Sequence, residues 1–432
     1  MKRLPSVFNS SFGIAVAVGS MIGAGILRAP HDVAMQLPNP WLFLGVWVLG
    51  GGYALLGANA IAELGAMRPR SGGQYAIARQ AFGPFTAFVV GWNDWLSCCG
   101  ATAAVSIVFA EAVTVLIARP SLTLPVSLAA AIAACLVLWR GSRALNNAQT
   151  VASVVKFLGF LALTAACLLW ALRHERLADV VPATPATLPS SGLLIALVVA
   201  LQGVIFAYDG WTGVIYFGEE TQNPGRDIPR ALFGGVIATM VVYILLNVAL
   251  IAVLPIQTIA ADALPTATAA TVVFGASGDT LVRWLVVIAL PSGILANLGM
   301  ASRVSFALGR DTTRLSRLGD ANDAGTPGAS LALCAVVTLG FLATGTFARV
   351  VTLCSVLFVA SYVVSFAAVF RLRKVEPDTP RPFRAIWHPY STGVLLVGSI
   401  LFLGGTAVAS PRDALLAAGL VLLSYPAYRL LR

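Results

Sequence analysis

The sequence predicts an all-α integral membrane protein with twelve transmembrane helices, and three observations predict it. The 432-residue chain is 58% hydrophobic and only 11% charged, with a mean hydropathy of +0.86. A water-soluble core of that length cannot hide so much apolar surface, so the bilayer has to be the solvent. Apolar runs of roughly 20 residues, long enough to cross about 30 Å of hydrocarbon, lie at 11–34, 41–66, 84–117, 123–139, 149–172, 193–221, 231–254, 278–309, 329–346, 349–370, 390–408 and 413–430. Basic residues then distribute unequally over the connections. With the N-terminus inside, 20 of the 28 Lys and Arg fall in inside segments and 7 outside, with Lys156 left within a span. That bias predicts that both termini are cytoplasmic and that the protein is a multi-pass component of the cell (inner) membrane.

The net charge of +10 is therefore a topology signal; its basic residues are dispersed over short loops, which excludes a nucleic-acid footprint. All six cysteines (Cys98, Cys99, Cys135, Cys167, Cys334, Cys354) fall in apolar runs, without disulfide or metal-ligand spacing. Only a short polar stretch precedes the first run, and no small-residue cleavage pattern follows it, so no cleavable signal is expected. The chain reads as a single membrane domain over 1–432 with no soluble module. Its longest polar connections, 309–328 and 371–389, are expected on the cytoplasmic side.

The first run contains GSMIGAGI (19–26), three glycines and a serine in a segment built to cross a membrane. Glycine costs a helix interior about 1 kcal/mol relative to alanine. Gly19/Gly23 and Ser20/Ala24 are also small-xxx-small pairs, the mark of close helix packing. The sixth run decides between a packing face and a break. There FAYDGW (206–211) sets an acid beside a glycine at membrane depth, where a charge is expensive and marks a cavity or a partner. Runs one and six are five apart, and paired interruptions in two five-span halves point to a binding site. An unwound helix frees N–H groups that hold a carboxylate and C=O groups that hold an ammonium. An amino acid carries both.

The other runs follow in order. Run two ends at RSGGQY (70–75), read as an inner loop that moves during gating. Run three opens with GWNDW (91–95), where Asn93 and Asp94 sit at the inner end in a structural or gating role, and Glu111 lies near the outer end. Run four is plain. Run five carries Lys156 in VASVVKFLGF, which either snorkels to the inner face or serves a function at mid-span. After run six, Glu219, Glu220, Asn223 and Pro224 are expected to end the span and order the inner loop, with Arg226 or Arg230 as partners. Run eight holds Ser292 after Pro291 in an expected ALPSG turn. The histidines (His31, His174, His388) are scattered, so an intramembrane enzyme with nucleophile and base or metal ligands is not supported.

GSMIGAGI, FAYDGW followed by EETQNPGRDIPRA, ASRVSFALGRD (301–311) and RPFR (381–384) together resemble the amino acid–polyamine–organocation (APC) transporters. The FAYDGW variant looks most like the L-amino-acid transporter (LAT) branch and its bacterial relatives. The resemblance covers nearly the whole chain. It implies a five-plus-five inverted repeat, the APC fold, with 11–172 and 193–370 as the two halves and 390–430 as two peripheral helices. It also implies alternating access around a midplane site. Carried over, it puts Ser20, Met21, Ile22, Gly23, Ala24 and Gly25 at the carboxylate end. Phe206, Ala207, Asp209 and Gly210 then form the sixth-span break, with backbone carbonyls toward the ammonium and Phe206 as an aromatic lid. Many cation-selective relatives have a Glu shortly after the break glycine; here Gly210 is followed by Trp211 and Thr212, which favours a neutral amino acid. Asp209 either closes a helix end or favours a cationic substrate. In sodium-independent members a fifth-span lysine stands where sodium-coupled relatives bind sodium, so Lys156 is expected on first-span carbonyls near Gly19, with Ser292 as its eighth-span partner. Whether it braces or carries a proton stays open. The expected partners are a small amino acid and the lipid bilayer, and no cofactor is called for.

Overall fold

The computed structural model describes residues 6, 8–174, 192–322, 325–344 and 347–431. Lys2, Arg3, Arg176 and Arg432, used in the orientation argument, lie outside the described residues. Sixteen α-helices, five short 3₁₀ helices and two isolated bridges make up the regular structure among the described residues. Run one is two helices, α1 (Ser10–Met21) and α2 (Ala24–Gln36), bent by 42° at the glycine cluster. Asn9 caps α1 by accepting from Phe12 N at 3.0 Å, and Asn39 caps α3 (Pro40–Met67) by accepting from Trp41 N and Leu42 N. Proline begins α3, and also α5 (Pro84–Leu116) and α9 (Pro224–Val253), where its missing N–H removes nothing from the ladder. The short α4 (Gln74–Phe82) joins α3 to α5, and α6 (Thr123–Trp139) and α7 (Ser142–Arg173) follow.

Run six is α8 (Leu193–Tyr208) followed by a 3₁₀ segment, Trp211–Tyr216. After α9 come the short α10 (Ile256–Ala261) and α11 (Pro265–Phe274), then α12 (Gly278–Asp311), α13 (Gly328–Thr344), α14 (Phe347–Val375), α15 (Tyr390–Ala409) and α16 (Pro411–Leu431). By length and composition nine helices among the described residues can cross a membrane, ten with α1 and α2 taken as one bent span. The helices at runs six and nine, α8 and α13, are apolar but shorter, at 16 and 17 residues.

One expectation is corrected here. The ALPSG sequence makes no turn: α12 runs unbroken through Pro291, and Ser292 Oγ donates to Ala289 O at 2.8 Å. Pro in a membrane helix is tolerated where nearby hydroxyls and packed neighbours compensate for the lost donor.

In the core α5 packs along α12, α9 lies against α1, α3 and α7, and α2 lies against α8. Of the membrane-length helices, α16 is buried least, at 11% of its apolar window. Both ends of the described chain lie on one face. Phe8 N donates to Glu220 O, Arg310 in the last turn of α12 binds Glu219, and Arg314 donates to Leu430 O. This is termed the N-terminal face below.

Candidate functional site

Helix α1 ends at Met21, within the glycine-rich stretch Gly19–Gly25. Ile22 is extended, and its N–H caps Val18 O at 2.9 Å. A helix end leaves further carbonyls without partners, and side chains from two other helices take them. Lys156, about 21 Å along α7 from its start by helical rise, is wholly buried and donates to Gly19 O at 2.7 Å and Ile22 O at 2.6 Å. The snorkelling alternative is thereby removed. Tyr243 of α9 places its hydroxyl 2.6 Å from Met21 O and 2.9 Å from Ala207 O, joining the ends of both broken helices. Ser292 does not meet Lys156, since its hydroxyl turns back to Ala289 O.

The three glycines differ in purpose. A Cβ on Gly19 would stand 1.8 Å from Gln149 Nε2, so that position is a packing face toward α7. A Cβ on Gly25 would stand 2.5 Å from Ala207 Cα, so α2 and α8 cross there backbone to backbone. A Cβ on Gly23 would meet nothing nearer than 3.9 Å. The first residues of α2 have no side-chain cap, which leaves backbone N–H groups at a helix N-terminus for an anion. Gly210 holds the sixth-run break with φ of 96°, and a Cβ there would lie 2.4 Å from Ser20 Oγ. The hydroxyl of Ser20 in turn faces Val16 O at 2.7 Å and Gly210 O at 3.0 Å.

Between the breaks is a cavity of about 20 Å³, room for a single water, lined by Ser20, Met21, Gly23, Ala24, Gly25, Phe206 and Asp209 among others. Ile22, Ala207 and Gly210 do not line it; they contribute backbone contacts behind it. Phe206 stands edge-on to Phe347 of α14 with ring centroids 6.2 Å apart. The Asp209 carboxylate accepts from Tyr362 Oη. The carbonyls expected to face an ammonium are partly engaged: Phe206 O accepts from Asp209 N at 3.2 Å, and Ala207 O from Tyr243. Thr212 is buried in the 3₁₀ segment, away from the cavity. Sequence reasoning missed Ala101, Val105, Asn297 and Phe358 on the wall, and Tyr243 and Tyr362 behind it. Only Asn297, an amide in an apolar run, carried a signal.

Toward the N-terminal face a polar layer closes the site. Asp94 accepts from Tyr216 Oη at 3.1 Å and Gln74 Nε2 at 3.3 Å, and Ser365 Oγ donates to Gln74 Oε1 at 2.9 Å. Glu220 takes Arg303 of α12 at 3.1 and 3.3 Å, both wholly inside the protein, and Glu219 takes Arg310 at 2.9 Å. The expected partners Arg226 and Arg230 are thus replaced by arginines from α12; Arg226 instead pairs with its neighbour Asp227. Removing one member of a buried pair strands a charge, so Glu220→Gln is expected to cost about 3–5 kcal/mol, read as earlier unfolding in detergent. Arg226→Gln, on a side chain 58% exposed, is expected to change stability by under about 1 kcal/mol. On the opposite face Arg28 binds Glu111 and lies 5.1 Å over the Phe347 ring.

A scan against family models matches the amino acid permease family over residues 11–422. The serine/threonine exchanger SteT of Bacillus subtilis (strain 168) is 25% identical over 425 residues, covering 96% of this chain and 94% of that protein. The large neutral amino acids transporter small subunit 2 of Homo sapiens is 28% identical over 383 residues, 85% of this chain and 70% of that protein. The Asc-type amino acid transporter 1 of Mus musculus is 27% identical over 383 residues, 85% and 71%. With the family matched over most of its length, this chain belongs to the amino acid permease family of the APC superfamily, whose members are transporters and not enzymes.

Proposed function

We propose that the protein is a sodium-independent secondary transporter that moves neutral L-amino acids across the cell (inner) membrane by alternating access, by exchange or coupled to protons. The reading includes twelve spans, a five-plus-five inverted repeat over 11–172 and 193–370, peripheral helices over 390–430, and both termini cytoplasmic. The observation that carries it is the Lys156 ammonium on two carbonyls at the α1 break, 2.7 and 2.6 Å away. A cation supplied by the chain braces that helix end without a dissolved one. The substrate carboxylate belongs at the N–H groups of α2 beside Gly23, with Phe206 over the bound molecule. Entry requires the walls to part, since the cavity of about 20 Å³ is smaller than any amino acid.

Serine and threonine are the first candidates, because the relative covering 96% of the chain is a serine/threonine exchanger. In a thermal-shift screen of the twenty amino acids, small neutral ones are expected to raise the unfolding temperature, as a ligand bound only by the folded state must. Arginine, lysine and polyamines are expected to leave it unchanged. In liposomes, saturable uptake accelerated by internal amino acid is expected; a sustained conductance points to a channel. A second reading, a cationic substrate, draws on the Asp209 carboxylate at the cavity wall. Strong competition by arginine where alanine, serine and leucine have no effect selects that reading.

A further inference from the structure

A second cavity, of about 360 Å³, opens on the N-terminal face between the loop after α3, α4 and the end of α12. That volume is in the range of small-molecule sites. Its charged groups are not all spent. Asp311 accepts from Tyr75 Oη at 2.6 Å and pairs with Arg79. Glu219 takes the Arg310 Nη1 with both oxygens, at 3.0 and 2.9 Å. Two donors remain. Arg70 stands exposed at the rim and forms no ion pair among the described residues. Ser71 lines the same cavity, is 4% exposed, and its buried hydroxyl has no hydrogen-bond partner. A buried hydroxyl without a partner is costly and needs a reason.

We propose that this cavity is a staging site for the zwitterion of an α-amino acid on the N-terminal side of the transport path. Arg70 and the Ser71 hydroxyl take the carboxylate, while Glu219 and Asp311, still paired to Arg310 and Arg79, accept from the ammonium through the lone pairs those bonds leave over. A guanidinium and a hydroxyl side by side form charge-assisted bonds to a carboxylate. A phosphate fits less well, because Arg79 and Arg310 are already neutralised by Asp311 and Glu219 and one guanidinium is left for it. The position suits handover. Ser71 bridges to Phe217, just beyond the 3₁₀ segment of run six, and Gly72 N donates to Tyr216 O at 3.4 Å. The floor of the staging site is therefore part of the polar layer that must open for substrate to pass.

The proposal rests on the transport reading, and its test separates the two. Proteoliposomes with one known insertion orientation are loaded with L-serine, L-alanine or L-leucine, and the half-saturation concentration is measured from each face. Arg70→Gln and Ser71→Ala are each expected to raise it about tenfold on the N-terminal face, and by under about twofold on the other. Arg70→Lys is expected to recover part of the loss, since the charge returns without the fork. Unchanged values on both faces overturn the staging site while leaving transport standing, and so do equal rises on both faces. Loss of an inhibition by inorganic phosphate in Arg70→Gln, with amino acid half-saturation unmoved, overturns it in favour of an anion site. No saturable flux of any of the three by the native protein overturns the transport reading and the staging site together.

Discussion

Replacing Lys156 by alanine is expected to cut amino acid uptake about a hundredfold while the protein still inserts and folds. The physical chain is short. Helix α1 stops at Met21, its last carbonyls have no ladder partners, and the negative end of its dipole lies in the membrane interior. Lys156 supplies both the donors and the positive charge, to Gly19 O and Ile22 O. Each buried carbonyl left unpaired costs about 1–3 kcal/mol, so two cost about 2–6 kcal/mol, a range that contains the roughly 2.7 kcal/mol of a hundredfold change. Lys156→Met, which keeps the stem and loses the donors, is expected to behave like alanine, separating lost bonding from lost packing. Native uptake is expected to persist when sodium is replaced by choline or potassium. An absolute sodium requirement, or native rates in Lys156→Ala, would sink the brace. A pH dependence of uptake that vanishes in Lys156→Ala favours proton coupling, and a retained one favours a simple brace.

Gly23→Leu and Gly25→Leu are expected to fail in different ways, although the residues are two apart. At Gly23 the Cβ meets nothing nearer than 3.9 Å, so the side chain grows into the cavity of about 20 Å³ and takes the space a carboxylate needs. Substrate-induced thermal shift and uptake are expected to vanish, with the ligand-free unfolding temperature lowered less than in Gly25→Leu. At Gly25 the new Cβ would press on Ala207 Cα at 2.5 Å, a backbone that cannot swing away. Helices α2 and α8 must separate, and overpacking of that kind costs about 1–3 kcal/mol or more. Gly25→Leu is therefore expected to unfold earlier even without ligand. Normal transport by both variants returns the whole glycine cluster to a packing role.

The membrane character of the chain was legible because the bilayer imposes a length and a polarity that a sequence cannot disguise. The break in run one was legible too, since glycines are costly inside a helix and α1 and α2 do part there. Legibility failed where space and sequence diverge. Arg226 and Arg230 are near Glu219 and Glu220 along the chain, yet the carboxylates reach Arg303 and Arg310, 83 and 91 residues away. Pro291 reads as a turn in isolation and is absorbed by a packed helix. Tyr243 and Tyr362 look like ordinary aromatic residues in apolar runs. A single hydroxyl at the tip of a ring gives no periodicity, and only the neighbours brought by folding show what it holds.

The hydroxyls of Tyr243 and Ser20 have one hydrogen each, with two carbonyls in reach of Tyr243 and three in reach of Ser20, the third being Ala17 O at 3.2 Å. Tyr243 stands between Met21 O and Ala207 O, and Ser20 between Val16 O and Gly210 O. At any instant one carbonyl holds the proton and the others have only proximity. For Ser20 one choice is its own helix, so it keeps a full bond when the two runs draw apart; for Tyr243 the phenol follows whichever half remains beside α9. The seam between the broken helices is thus polar and specific, but parting it forfeits far less bonding than a count of its contacts suggests. A joint built from single-proton hydroxyls can be tight in register and still cheap to open.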